Sequence, residues 1–380
     1  MRVREDVSLL ASRCAVSALF FVNGAVVASW VPYVPMVKQR LDIGDGHLGV
    51  VLLFMAIGAL GALPFAGALV SGLGSRAVSV GAAMGLCLTL PLPVLAPTPF
   101  LLALALLIFG AFNSTLDVAM NAQAVEVEQC RGRPIMSSFH ALFSLGGLAG
   151  AAVAGLIAFA GIGAMSHVAA TALVGGAVVL IALRALVVVR PSPSAAFARP
   201  TRELLGLGVL ALCALLAEGA MADWSAVYLM DARGASQGAA AAGFAAFSLA
   251  MAAGRFGGDR VALLVGAVNL LRMSGGLAAV GLFLALMVRE PLIAIAGLGL
   301  VGLGVANLIP VLFSAAGRAN GVAPGPALAA VATTGYVGFL AGPPLIGIAA
   351  ELTGLPAALG IVVLACVGVA VAAGVAGDRS

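Results

Sequence analysis

Apolar residues run on in this chain for twenty positions or more and stop at short polar breaks. A helix crossing a bilayer needs ~20 largely apolar residues. The breaks mark out twelve such helices, roughly 13–35, 47–70, 76–96, 99–124, 134–160, 165–189, 203–229, 237–258, 265–288, 291–316, 324–349 and 355–377. The longest polar interruption, RPSPSAAFARPTR at 190–202, falls between the sixth and the seventh. The pattern predicts an all-α polytopic membrane protein. Residues 1–189 form one six-helix bundle, 190–202 a cytoplasmic linker, and 203–380 a second six-helix bundle.

Composition agrees with this pattern. The chain is 62% hydrophobic and 9% charged, whereas soluble domains carry about 25% charged residues. A net charge of +4 would suit nucleic acid, but the basic residues sit between apolar spans, which argues against a nucleic-acid partner. If both termini share one side, fifteen of the nineteen Lys and Arg fall there, leaving Lys38, Arg40, Arg233 and Arg289 opposite. By the positive-inside rule that side is the cytoplasm. The first apolar run, behind Arg2, Arg4 and Arg13, exceeds a leader's apolar core and is expected to stay as a span. The five cysteines are widely spaced and suggest neither a disulfide framework nor a metal site. HExxH and phosphate-loop patterns are absent, so an enzyme is not expected. No cofactor is implied.

The two halves align with each other. SSFHALFSLG at 137–146 matches TTGYVGFLAG at 333–342, a step of 196 residues that sets His140 against Tyr336 and Gly146 against Gly342. Transporters are often built from such repeats, with the site between them near mid-membrane.

Twelve spans in two halves with a basic central loop resemble the major facilitator superfamily. Gly67-Ala-Leu-Val-Ser-Gly-Leu-Gly74-Ser-Arg76 resembles its loop signature, with Ser71 where the family has Asp. A second-half counterpart reads Gly254-Arg255-Phe-Gly-Gly-Asp259-Arg260. The resemblance implies that these loops latch a cytoplasmic gate through Gly67, Gly74, Arg76, Arg255, Asp259 and Arg260. FFVNGAVVASW (20–30), DVAMNAQAVEVE (117–128), RPIMSSFHALFSLGG (133–147) and EGAMADWSAVYL (218–229) are similar to the YbjJ-type group of bacterial inner-membrane transporters, distantly related to the fucose permease branch. Some members of that branch use acids on helices one and four. Here helix four offers Asp117, while helix one offers the amide Asn23.

Ionisable groups inside spans are costly, so each needs a reason; a charge at the bilayer centre costs at least ~2.5–3.5 kcal/mol. Glu218 falls near mid-depth of the seventh span and is the first choice for proton coupling; the duller reading is a neutral, hydrogen-bonded structural acid. Asp223 is five residues on, about 140° around the helix, beside Trp224. These two either line the cavity or mark the membrane interface. Asn113, Asp117 and Asn121, four apart, form a polar stripe on the fourth span. Asp117 and His140 are expected at similar depth and can pair, binding a proton or a solute, or simply bonding two helices. Asn307 precedes Pro310, which frees backbone groups that can bind a ligand. Asn23, Asn307 and Tyr336 complete the expected cavity.

The expected function is secondary transport of a small organic solute by alternating access, coupled to protons through Glu218 and Asp117. A hydrophobic-compound efflux pump or a lipid flippase of the same fold remains the alternative. The expected setting is a monomer in the bacterial inner membrane, with lipid, protons and solute as its partners.

Overall fold

A computed structural model describes residues 9–43, 45–160, 162–188, 201–235, 237–288 and 290–377. The expected linker at 190–202 lies outside them, apart from Thr201 and Arg202, as do Arg2 and Arg4. Among the described residues there is no strand. Eleven helices there are long and apolar enough to cross a membrane. A further helix, Gln237–Val265, is 29 residues long and carries Arg255, Asp259 and Arg260.

The first half contributes α1 (Leu9–Trp30), α2 (Asp45–Leu73), α3 (Ser75–Thr89), α4 (Pro99–Arg131), α5 (Met136–Phe159) and α6 (Ala164–Ala182). The second contributes α7 (Arg202–Val227), α8 (Gln237–Val265), α9 (Ala267–Met287), α10 (Pro291–Val305), α11 (Leu308–Gly317), α12 (Pro324–Thr353) and α13 (Gly360–Ala372). Local chemistry sets the ends. Thr98 accepts from the Leu101 amide to open α4, with Pro99 in its first turn, where the missing N–H costs nothing. Thr201 caps α7 in the same way through Leu204. Gly74 (φ 85°) and Gly266 (φ 79°) separate α2 from α3 and α8 from α9, a conformation that a side chain would strain.

The chain forms two compact units. One is Met1–Gly132 with Phe139–Ala198 and Asn320–Ala330; the other is Arg133–Ser138 with Arg199–Ala319 and Val331–Ser380. Most of α5 therefore belongs to the first unit, and its opening residues belong to the second.

Helices in each unit meet where glycine lets backbones touch. In the first unit a methyl on Gly110 of α4 would overlap the carbonyl of Met55 on α2. In the second, a methyl on Gly302 of α10 would overlap that of Phe247 on α8. The same step of 192 residues separates Met55 from Phe247, Gly110 from Gly302, and the breakers Gly74 and Gly266. Gly146 meets the Phe21 backbone and Gly338 meets that of Leu212, again 192 apart on the glycines. The repeat register is thus 192, one helical turn short of the 196 expected from the short sequence match. Gly146 corresponds to Gly338 rather than Gly342. A four-residue slip keeps the same helix face, so the glycine pattern matched in either register.

The halves differ in their fourth helices. The 33 residues of α4 run unbroken, whereas the corresponding span is interrupted at Ala306–Asn307, between α10 and α11. Pro310 explains the break. It has no N–H to offer the carbonyl four residues back, at Ala306.

Candidate functional site: two polar clusters within the spans

In the first unit, α4 presents its stripe toward α5 and α1. Asn121 is fully buried and acts as a bridge. Its Nδ2 donates to Asp117 Oδ1 at 3.0 Å and to the Asp117 backbone oxygen at 2.8 Å. Its Oδ1 lies 3.2 Å from His140 Nε2, so that nitrogen donates. Asp117 and His140 are thus linked through an amide, not paired directly. Phe20 of α1 lies edge-on to the His140 ring at 5.2 Å. Asn23, also buried, points Nδ2 at Met120 Sδ, 3.8 Å away. Asn23 Oδ1 and Asn113 Oδ1 are buried without hydrogen-bond partners. Unsatisfied buried oxygens cost free energy, so both are places where a proton-donating group is gained cheaply.

Gln123, two residues on, went unnoticed in the sequence. Its Nε2 donates to Ser75 Oγ at 2.7 Å and to the Val187 carbonyl at 2.9 Å, and its Oε1 accepts from the Val187 amide. It ties the chain beyond α6 to α3 and α4. An uncharged amide in a largely apolar run was the available signal.

In the second unit, the break made by Pro310 builds the site. Arg255 Nε donates to the freed Ala306 carbonyl at 3.3 Å. Arg255 Nη2 lies 3.6 Å from Glu218 Oε1 on α7. Asn307 Nδ2 donates to the Gly254 carbonyl at 3.1 Å, while its Oδ1 is buried without a partner against the bare Cα of Gly258. The Glu218 side chain is 26% exposed and that of Arg255 8%, so the carboxylate is the more accessible partner.

This placement corrects the sequence reading of Arg255, Asp259 and Arg260 as loop residues. All three lie within α8, which continues to Val265, because no breaker precedes Gly266. Asp259 has its own task. Its two carboxylate oxygens accept from the Ser137 and Ser138 amides, at 2.7 and 2.9 Å, capping the otherwise unsatisfied start of α5. In the 192 register Asp259 corresponds to Gly67, not Ser71. Gly67 likewise sits within a helix, α2, closely packed on Pro326 and Ala329 of α12. Gly74 occupies the actual turn, and Arg76 follows in the first turn of α3.

The remaining expected residues are scattered. Asp223 is exposed on α7, and nothing brings it to Glu218. Trp224 packs near Gly347 with its Nε1 unsatisfied. Tyr336 is half-buried on α12. Among the described residues no group of His, Cys, Asp and Glu is arranged to hold a metal.

Long apolar helices, a repeat and polar clusters within the spans define a helical membrane transporter. The sequence profile of the Major Facilitator Superfamily matches residues 16–324, and the chain belongs to that superfamily. It is 40% identical over 356 residues to an uncharacterized MFS-type transporter of Yersinia pestis, covering 93% of each chain. It is 37% identical over 364 residues to the membrane protein MosC of Rhizobium meliloti, covering 94% of this chain and 88% of that one. Its fold is similar to FucP, an MFS transporter solved in the outward conformation, with a TM-score of 0.78 at 15% identity, covering 96% of this chain and 98% of that one. The human organic anion transporter MFSD10 gives the same TM-score and identity, covering 96% of this chain and 99% of that one.

Proposed function

We propose that this transporter is a secondary one, moving a small organic solute across the bacterial inner membrane by alternating access, with proton coupling centred on Glu218. In this reading the two halves, residues 1–189 and 203–380, alternate as a monomer with both termini in the cytoplasm. The observation that carries the reading is the Glu218–Arg255 pair. An acid and a base held 3.6 Å apart within spans form a charge pair that a proton, or an anionic group on a solute, can take apart. A proton arriving at Glu218 leaves Arg255 positively charged and less well neutralised, which favours a solute carboxylate or hydroxyl in its place. The Asp117–Asn121–His140 chain offers a second proton-accepting and hydroxyl-binding surface. The cap that Asp259 places on α5 is the proposed cytoplasmic latch, with Gly67, Gly74, Arg76, Arg255 and Arg260 as the further residues of the proposed gate.

The test has two stages. Purified protein is screened by thermal shift against sugars, organic acids and apolar drugs at two pH values, since a ligand of the native state raises the melting temperature. Solutes that stabilise it are then offered to proteoliposomes with and without a pH gradient. Gradient-driven movement that is lost in Glu218→Gln, while solute exchange persists, supports the reading. Gradient-driven movement equal to wild type in that variant overturns the role of Glu218.

A further inference from the structure

The first unit carries a groove that the proposed transport path does not use. It lies among α1, α5 and α6 and has a volume of about 630 Å³. Its walls are almost wholly apolar, from Phe21 and Val26 to Val153 and Val174. Val174 is 64% exposed, so the groove opens sideways on an apolar face of the spans.

Two polar atoms at one end lack partners. Ser29 is fully buried and His167 is 2% exposed, yet Ser29 Oγ and His167 Nε2 have no hydrogen-bond partner. His167 Nδ1 lies 2.9 Å from the Tyr33 hydroxyl. With that hydroxyl donating to Nδ1, Nε2 carries the ring proton and is a donor. Two buried donors at the end of an apolar groove ask for an acceptor on an otherwise apolar molecule. Among the described residues no charged side chain lines the groove, so a neutral acceptor suits it.

Position narrows the occupant. His167 is in the first turn of α6, and its partner Tyr33 lies one turn beyond Ser29 on the helical backbone that runs on from α1 to Leu41. Ser29 and His167 lie toward the same end of the spans, His167 about one turn and Ser29 about two turns inside it. From Ser29 the groove follows α1 inward to Ser17, about 18 Å at 1.5 Å per residue. One leaflet's share of a ~30 Å hydrocarbon core is about 15 Å. We propose that the groove holds one acyl chain of a membrane phospholipid, whose ester carbonyl accepts hydrogen bonds from Ser29 Oγ and His167 Nε2. The chain lies along α1, and the headgroup stays in the interface.

Delipidated protein titrated with a diacyl phosphatidylethanolamine, and separately with its dialkyl ether analogue, tests this by native mass spectrometry. The ester lipid is expected to bind as one molecule per chain, about threefold to tenfold more tightly than the ether, the worth of a hydrogen bond. Ser29→Ala should erase most of that preference, and His167→Phe the remainder. Ala170→Trp, on an exposed part of the groove wall, should block the bound lipid while leaving the lipid-free melting temperature unchanged. Equal retention of ester and ether lipids, or a one-lipid complex undiminished in Ser29→Ala and Ala170→Trp, overturns the proposal. So does displacement of the lipid by a transported solute, which would make the groove part of the solute path.

Discussion

Glu218 and Arg255 are unequal partners, and stability should show it. Removing one member of a buried pair strands the other, a cost of about 3–5 kcal/mol when both are fully enclosed. Glu218 is partly exposed, so Glu218→Gln should cost about 2–3 kcal/mol on that scale. A stranded arginine cannot shed its charge, whereas a stranded glutamate can take up a proton. Arg255→Met avoids that cost but leaves the Ala306 carbonyl without its donor, so the two single losses should be similar, and the double variant should lose less than their sum. Thermal melting of the four proteins in a double-mutant cycle measures this; additive losses would mean that the pair is not energetically coupled. Some of this cluster was legible in the sequence. A carboxylate deep in an apolar run stands out, and Asn307 beside Pro310 announced freed backbone. What did not stand out was the residue that takes the freed carbonyl. Its place in a segment that resembles the family's loop signature made Arg255 read as a loop residue, and only the helix beyond it shows otherwise. Likewise, counting residues along α4 and α5 brings Asp117 and His140 to similar depth, but depth alone cannot reveal that Asn121 stands between them.

At the scale of elements, two kinds of helix contact make opposite predictions. Asp259 satisfies two amides at the start of α5, and such caps are worth about 0.5–2 kcal/mol. Asp259→Ala should lower stability by about that amount and speed hydrogen exchange at Ser137 and Ser138. Asp259→Asn should recover part of the loss, since an amide oxygen still accepts but carries no charge for the helix dipole. Protected amides in Asp259→Ala would show that the cap is dispensable. At the glycine crossings, Gly110→Ala and Gly302→Ala push a methyl into a facing carbonyl and should each cost about 1–3 kcal/mol. Gly257→Ala, in the same helix as Asp259 with open space beside it, should be neutral or stabilising by up to about 1 kcal/mol. A similar melting change in all three would remove the packing argument.

For the whole molecule, hydropathy alone located eleven spans, because lipid demands unbroken apolar length; the twelfth expected span falls on Gln237–Val265, a helix that its charged residues keep from meeting the same criterion. Internal symmetry was harder. Glycine recurs every four residues on these helices, so a sequence match cannot choose between registers one turn apart. The crossings choose, because Gly110 and Gly302 face the carbonyls of Met55 and Phe247, glycines and carbonyls alike stepping by 192. That register changes which residues count as counterparts. Asp259 stands opposite a glycine, and Pro310 stands opposite Val118, which leaves α4 continuous.

The interruption at Ala306 gives the fourth span of the second half a property that α4 lacks. A continuous helix keeps every main-chain oxygen occupied by its own ladder and is deaf to its neighbours' charge. Between α10 and α11 one such oxygen is held by a side chain, and that side chain also faces an acid on α7. Any change in charge at Glu218 is therefore felt by Arg255 and, through it, by the backbone of a different span. Protonation in one helix becomes an altered hydrogen-bond demand in another, with no loop or hinge needed to carry the message.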